Sequence, residues 1–511
     1  MPVKLNIPLP SKGLVVDRPG EFVDTRSLTN TWNMDVRRNL IQKRVGTMAI
    51  GSSLGERIMR YFELVVGTTT RLIRVGLTEV EALNKATSTW ASVTASAMTG
   101  TIDTPISYTF PLLAGAKIAV FTNGTDAIRK ISAAGNDASL GGTPPKAKYV
   151  KAVGPYLVLG YITDGGNTYY SRVQWSETGD PETWSGGNAG SIDLIEDPGN
   201  ITGFGLFGNH LAVHKHESIY VGQLVSTADV FRFDRRPTGI GTAAEATIAN
   251  LPNGEHVFLA YDGIHTFDGS FAPLIEAPIQ EEIRDSVNPA AIHRSFGLVI
   301  EEIGEYWCAV PLGNSEIPDT IYKYNWKTGQ VYKDVRANMT AMSLYINTSE
   351  TTWDSMAGTW DSQTTAWDSA SFQSSSKRIV FGDSSGNSTY LVNGTSSDNG
   401  TAISANFETK DFNANDYGLP DLDTMMRWKG IEMWATGSTV TVEYSIDGGE
   451  SWVAAGTKTL GSYYPTDASP INVYVDVVSS RIRFRFSNGT VNETFLIKKY
   501  QVEATSREAR K

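Results

Sequence analysis

The chain has 511 residues, 41% hydrophobic and 19% charged, with 48 glycines and a formal net charge of -11. This composition excludes a disordered chain, which lacks the apolar groups to build a core. The acidic balance excludes a broad basic clamp for nucleic acid, whose affinity comes from neutralising phosphates, but not a wall that DNA slides past. One cysteine, Cys308, excludes an intramolecular disulfide, as suits a reducing cytosol, and reads as a small apolar filler between Trp307 and Ala309. The first ten residues lack the apolar core of a signal peptide, and no segment approaches the roughly 18 continuous apolar residues of a membrane span.

Residues 1–47 are rich in Pro, Asn and Arg without a sustained period. They predict an extended N-terminal arm lying on other surfaces and ending in Lys43-Arg44-Val45-Gly46-Thr47. Over residues 48–395 the texture changes to short β-type runs closed by Gly, Asn-Gly or Asp-Gly, as in 117–124 followed by 127–131. The same pattern returns at 156–175, 209–222, 256–269, 321–334 and 378–394. Starts separated by about 40 to 65 residues are near or above blade periods, so an all-β chain with a β-propeller of degenerate blades is predicted. Stacked sandwiches are the alternative, because hairpins alone do not dictate how they close. A short helix is expected only within 277–287.

A Trp-rich insertion at 350–372 interrupts this region. Trp353, Trp360 and Trp367 open three near-copies of a seven-residue unit whose Gly, Ser, Thr and Asp disfavour helix. The indoles are read as folding back on the scaffold or as candidate interface anchors.

The Ser/Asn/Gly-rich stretch 393–401 reads as a linker, and residues 396–511 as a C-terminal β-sandwich. Here Val440, Val442 and Tyr444 alternate with Thr439, Thr441 and Glu443, and Ile482, Phe484 and Phe486 alternate with Arg481, Arg483 and Arg485. The arginine row is a candidate interface, either solvated or facing an acidic neighbour.

The remaining polar candidates read as scaffold. Ser445-Ile-Asp447-Gly-Gly-Glu-Ser-Trp452 has the Ser-x-Asp-x-Gly-x-x-Trp form of an Asp-box, similar to hairpin turns of sialidase propellers. Asp447 is expected to accept bonds from the turn backbone and Trp452 to pack it down. Trp175, Asp180, Trp184, Asp262 and Asp268 are assigned to turns and anchors, as is Asp383. His210, His214 and His216 share one parity, a spacing used by metal sites, but no carboxylate partner accompanies them. There is no phosphate loop, Gly-x-Ser-x-Gly elbow, His-Glu-x-x-His or paired-Cys site. Catalytic, metal and cofactor residues are therefore none.

Lys43-Arg44-Val45-Gly46, Gln174-Trp175-Ser176 with Gly179-Asp180-Pro181 and Trp184, Gly199-Asn-Ile-Thr-Gly203, Asn209-His-Leu-Ala-Val-His-Lys215, Gly239-Ile-Gly241 and Asp262-Gly-Ile-His-Thr-Phe-Asp-Gly269 follow one another along the chain. With Ala405-Asn-Phe-Glu-Thr-Lys-Asp411 and Tyr444-Ser-Ile-Asp-Gly-Gly449, this order resembles the tail nozzle or hub proteins of short-tailed bacteriophages, also described as tail tubular or head-completion-like. Val45 departs from the Pro expected in the turn. The resemblance implies a structural virion protein without enzymatic activity, assembled in the bacterial host cytoplasm as a ring, commonly a homo-hexamer. It implies that the ring extends the DNA channel, helps retain packaged DNA and permits its ejection. The implied partners are further copies of the chain, portal or adaptor rings, tail fibres or spikes, and passing DNA without sequence-specific binding. The alternative is a glycan-binding or sialidase-like propeller acting as a receptor-binding tail module.

Overall fold

The structure is a computed structural model that describes residues 3–8, 12–37, 40–226, 229–346, 377–461 and 470–506. The insertion carrying Trp353, Trp360 and Trp367 lies outside the described residues.

The hairpins predicted from alternation and Gly turns close as a β-propeller. Among the described residues seven antiparallel sheets follow in chain order: blade one (60–92), two (107–139), three (146–193), four (201–236), five (249–267), six (296–335) and seven (339–391). Blade five has three strands, with a single bridge from His265 to Leu274 beyond them. The first strand of each blade is innermost and touches the first strand of the next; Phe62 of blade one stacks on Tyr108 of blade two at 5.1 Å. Strands such as Glu305–Val310 are buried along their whole length, because each blade is covered on both faces.

The ring is closed by the N-terminal part of the chain. Thr47–Ala49 pairs antiparallel with Ser388–Leu391 as an outer strand of blade seven. On the inner side Met339–Ile346 lies against Arg60–Val66, and the Ile346 amide donates to Glu63 Oε2 at 2.8 Å. The α-helix Gln280–Ser286 falls within 277–287, its Ile283 buried in the core shared by blades five and six.

The remaining strands form a two-sheet sandwich. One sheet runs Met34–Arg37, Leu40–Lys43, Phe495–Ser506, Met426–Gly437, Ile471–Ser479, with Val3–Pro8 also on Phe495–Ser506. The other runs Gly13–Leu14, Ser27–Trp32, Ala405–Thr409, Arg481–Asn488, Thr439–Ser445, Val453–Thr459. The alternation read from sequence is observed: Ile482, Phe484, Phe486, Val440 and Val442 are all buried between the sheets, with Phe407 stacked on Phe486 at 4.7 Å.

Two expectations change. The segment read as an arm over other surfaces supplies five strands to the sandwich, with Ile7, Leu28, Met34 and Ile41 in its core. Its strands are only two to six residues long, and the pairings that tie Val3–Pro8, Ser27–Trp32 and Leu40–Lys43 to the sandwich reach partners hundreds of positions away, so no sustained local period marks them. The stretch read as a linker carries Ser397–Asp398 and Thr401–Ala402, which extend the blade-seven sheet beside Thr47. Its small polar residues are held by pairing that composition does not reveal.

Candidate functional site

The chain crosses from sandwich to propeller at Arg44-Val45-Gly46, between Leu40–Lys43 and Thr47–Ala49. It returns through residues 392–404, and the two crossings lie side by side: Gly46 N–H donates to Thr395 O at 2.8 Å, and Val392 N–H to Gly46 O at 3.1 Å. A Cβ on Gly46 would stand 2.0 Å from Ser397 O, so only glycine permits this approach.

A buried ionic network fills the joint. Arg44, at the crossing, donates Nη1 and Nη2 to Asp398 at 2.9 and 2.5 Å and Nε to Asn33 Oδ1 at 2.9 Å. Lys323 of blade six lies between Asp35 of the sandwich (2.9 Å) and Asp334 (2.6 Å), with its Nζ 4.4 Å from the Trp307 ring centre. Arg336 packs over Phe381 and reaches Asp398 Oδ1 at 3.4 Å. Burial, followed by the field of Arg44, pushes the Arg336 guanidinium down to about 10. Burial raises the Asp398 carboxyl, but the Arg44 hydrogen bonds and the Arg336 charge outweigh it and hold the group at about 2. Neighbouring Lys43 is pushed down to about 8, chiefly by burial, and donates Nζ to Asn488 Oδ1 at 2.9 Å.

This network borders a cavity of about 350 Å³ that also touches Val299, Ile303, Leu344 and Ile379. Chemically it is a lock: Arg44, Lys323 and Arg336 are matched by Asp35, Asp334 and Asp398, and each of these carboxylates faces a cation. No nucleophile stands beside a base here, and what the arrangement does is fix one module against the other. Of these residues the sequence singles out only Arg44, as part of the Lys43-Arg44-Val45-Gly46 motif and without its partners. The available signal was charge at core parity, as at Lys323 within Ile321-Tyr-Lys-Tyr-Asn325.

The candidate interface arginines meet acids of the same chain. Arg483 is bidentate to Asp411 at 2.8 and 2.8 Å, Arg485 pairs with Glu443 at 2.7 Å, and Arg481 stands 3.7 Å from Glu21. The Asp-box-like turn lies in the sandwich, between Thr439–Ser445 and Val453–Thr459, outside the propeller. Asp447 accepts from Ser445 Oγ at 2.6 Å, the Ser451 amide at 3.0 Å and the Ser451 hydroxyl; these bonds hold its carboxyl well below the usual range. Trp452 lies under the Arg485 guanidinium at 4.2 Å.

The turn residues in the propeller act on their own backbone. Asp180 accepts from the Glu182 amide (2.9 Å) and Thr183 Oγ1 (2.8 Å), and Asp268 from the amides of Ser270 and Phe271 (2.7 and 2.8 Å). Asp383 accepts from the Ser385 and Asn387 amides. Trp175 donates Nε1 to Asn188 O at 2.9 Å, Trp184 packs on the core between blades two and three, and Asp262 holds His265 Nε2 at 2.9 Å. The three histidines do not converge: His216 is exposed, while His214 is buried with its Nε2 3.0 Å from that of His256 on blade five. Among the described residues no group of three or more His, Cys, Asp or Glu is placed to hold a metal ion. Cys308 is buried in blade six, its thiol pushed up to about 12 by burial.

No family model matches the chain, and no curated protein matches it. Among solved structures it is similar to YCF48 from Cyanidioschyzon merolae, at 10% identity and a TM-score of 0.40 over 68% of this chain and 98% of that one. It is similar to PorZ, a surface component of the type-IX secretion system of Porphyromonas gingivalis, at 9% identity and 0.35 over 80% and 46%. It is also similar to an exo-β-1,3-galactanase from Phanerochaete chrysosporium, at 11% and 0.26 over 89% and 100%. Likenesses at these TM-scores carry no argument, and the fold rests on the strand pairings above.

Proposed function

We propose that this chain is a structural, non-enzymatic subunit of the tail nozzle or hub of a short-tailed bacteriophage. It assembles as a homo-hexameric ring in the virion tail, extends the DNA channel below the portal or adaptor rings, helps retain the genome and lets it pass on ejection, with fibres or spikes nearby. The observation that supports this reading is the double crossing locked by Arg44 and Asp398. A subunit bearing load between neighbouring rings has to keep its modules in one orientation, and two adjacent crossings with a buried ionic network resist hinge motion in a way a single linker does not. The segments that carry the tail-protein resemblance hold scaffold positions, including the Lys43-Arg44-Val45-Gly46 crossing itself. The net charge of -11 suits a conduit that must not retain its cargo.

Native mass spectrometry with electron microscopy of the purified chain tests this. A closed ring with an axial channel is expected. A stable monomer that hydrolyses a sialoside, or that binds glycan as a monomer or trimer, overturns the reading in favour of the glycan-binding alternative.

A further inference from the structure

At one mouth of the propeller, where the first strands enter, lies a small cavity of about 30 Å³. Its polar lining is Arg57 and Arg60 at the start of blade one, His293, Arg294 and Ser295 at the start of blade six, and Thr340 of blade seven; the other half of the lining is apolar, with Met59, Ile106 and Phe296 among it. Arg57 is 8% exposed, and its guanidinium makes no hydrogen bond or ion pair with any described residue; its Nε is fully buried. Arg60 makes no hydrogen bond or ion pair with a described residue, lies over the Tyr108 ring at 5.2 Å and feels the charge of Glu245. The hydroxyls of Ser295 and Thr340 are buried and also lack partners.

The acids nearby are already engaged. Asp103 Oδ1 accepts from His293 Nε2 (2.9 Å) and from Arg294 Nε and Nη2 (2.9 and 2.7 Å). Glu316 stands 3.6 Å from Arg294, and Glu245, deeper in the propeller, accepts from Ser107 Oγ at 2.7 Å with Lys151, Arg60 and Lys148 around it. Among the described residues, the five cations Arg57, Arg60, Arg294, Lys148 and Lys151 stand beside three carboxylates, Asp103, Glu316 and Glu245. Other arginines of this chain show what a satisfied guanidinium does: Arg172 and Arg427 each grip a carboxylate through Nε and Nη2 at 2.6–2.8 Å. A guanidinium withdrawn from water without a hydrogen-bonded partner is strongly disfavoured, and an added negative charge beside Arg57 would offset that cost. The cavity has room for about two waters, enough for the oxygens of one compact group and too little for a nucleotide.

We propose that this mouth is an oxyanion-binding site, in which Arg57, supported by Arg60 and the hydroxyls of Ser295 and Thr340, binds one phosphate or carboxylate group. Two sources supply that chemistry: a free oxyanion, or the carboxylate of a side chain on a second copy of this chain. The site stands on the propeller geometry alone, whether or not the chain forms tail rings.

The test titrates inorganic phosphate into the full-length protein against chloride at equal ionic strength, following heat of binding, thermal midpoint and native mass, in wild type and Arg57→Met. Expected for a free oxyanion is saturable binding of one phosphate per chain with a raised midpoint, weakened about tenfold or more in Arg57→Met. Expected for a carboxylate from a second copy is an assembly that phosphate dissociates and that Arg57→Met fails to form. Arg57→Met keeps the length of the side chain and removes a buried charge, so it should fold at least as well as wild type in chloride. If it does not fold, Thr340→Val, which removes one donor at constant shape, should weaken the same readout. No saturable phosphate binding together with a mass that neither phosphate nor these variants alter overturns the proposal.

Discussion

Arg44 and Asp398, 354 positions apart, meet as a bidentate pair where the two crossings between propeller and sandwich run side by side. Arg44 is 3% exposed, and Asp398 also compensates Arg336, so a single carboxylate serves two buried guanidiniums. Removing it leaves Arg44 with Asp334 at 3.8 Å and takes from Arg336 the carboxylate it reaches.

Asp398→Ala should therefore lower stability by about 3 kcal/mol, toward the lower end for a broken buried pair because Asp398 itself is 30% exposed. Urea unfolding at pH 7 measures this. The folded carboxyl sits at about 2 against an ordinary value of 3.8, so its contribution is fully present above about pH 4 and fades as pH falls toward 2. Asp398→Asn should flatten that part of the acid profile.

The buried His214 and His256 pair acts in a different window. Burial depresses both, His256 to about 3, with the charge of the other ring opposing protonation of His214. The unfolded chain takes up these protons below about pH 6.5 and the folded chain does not, so stability should fall as pH drops from 6.5 toward 5. The slope is about 1.4 kcal/mol per pH unit for each histidine. Unfolding free energies at pH 6 and 5 for wild type and His256→Gln check this; an unchanged slope in the variant would count against the assignment.

Gly46→Ala should disrupt the crossing, because the added methyl meets the Ser397 carbonyl at 2.0 Å and a backbone atom cannot swing aside. A loss of about 3 kcal/mol or more is expected from overpacking of this kind. Gly489→Ala, which meets nothing within 4 Å, is the control and should lie within about 0.5 kcal/mol of wild type. Thermal midpoints of the two variants separate the cases.

Within the arginine row the effects should rank by geometry. Arg483→Ala strands a nearly buried Asp411 and should cost about 3 kcal/mol, whereas Arg481→Ala breaks only a 3.7 Å contact between partly exposed groups and should cost less than about 1 kcal/mol. Denaturant midpoints measure both. Arg481→Glu should leave the subunit folded, so native mass of that variant tests whether this edge serves assembly.

Strands that carry their own alternation and turn chemistry were legible directly, because side-chain period and Gly or Asp-Gly turns are local properties. The hairpins at 156–175 and 321–334 and the alternating faces of Thr439–Ser445 and Arg481–Asn488 are of this kind. The turn bonds of Asp180, Asp268 and Asp447 are local in the same way, since their partners lie within four residues. The route of the first 47 residues, the pairing of Arg44 with Asp398 and the lack of a hydrogen-bonded partner for Arg57 among the described residues belong to tertiary structure alone. Val3–Pro8 finds its partner at 499–504, Thr47–Ala49 at 389–391, and Arg57 is isolated because of what lies at the start of blades six and seven. Pairing across hundreds of positions leaves no period in the sequence, and whether a charge is compensated depends on which distant groups the fold brings beside it.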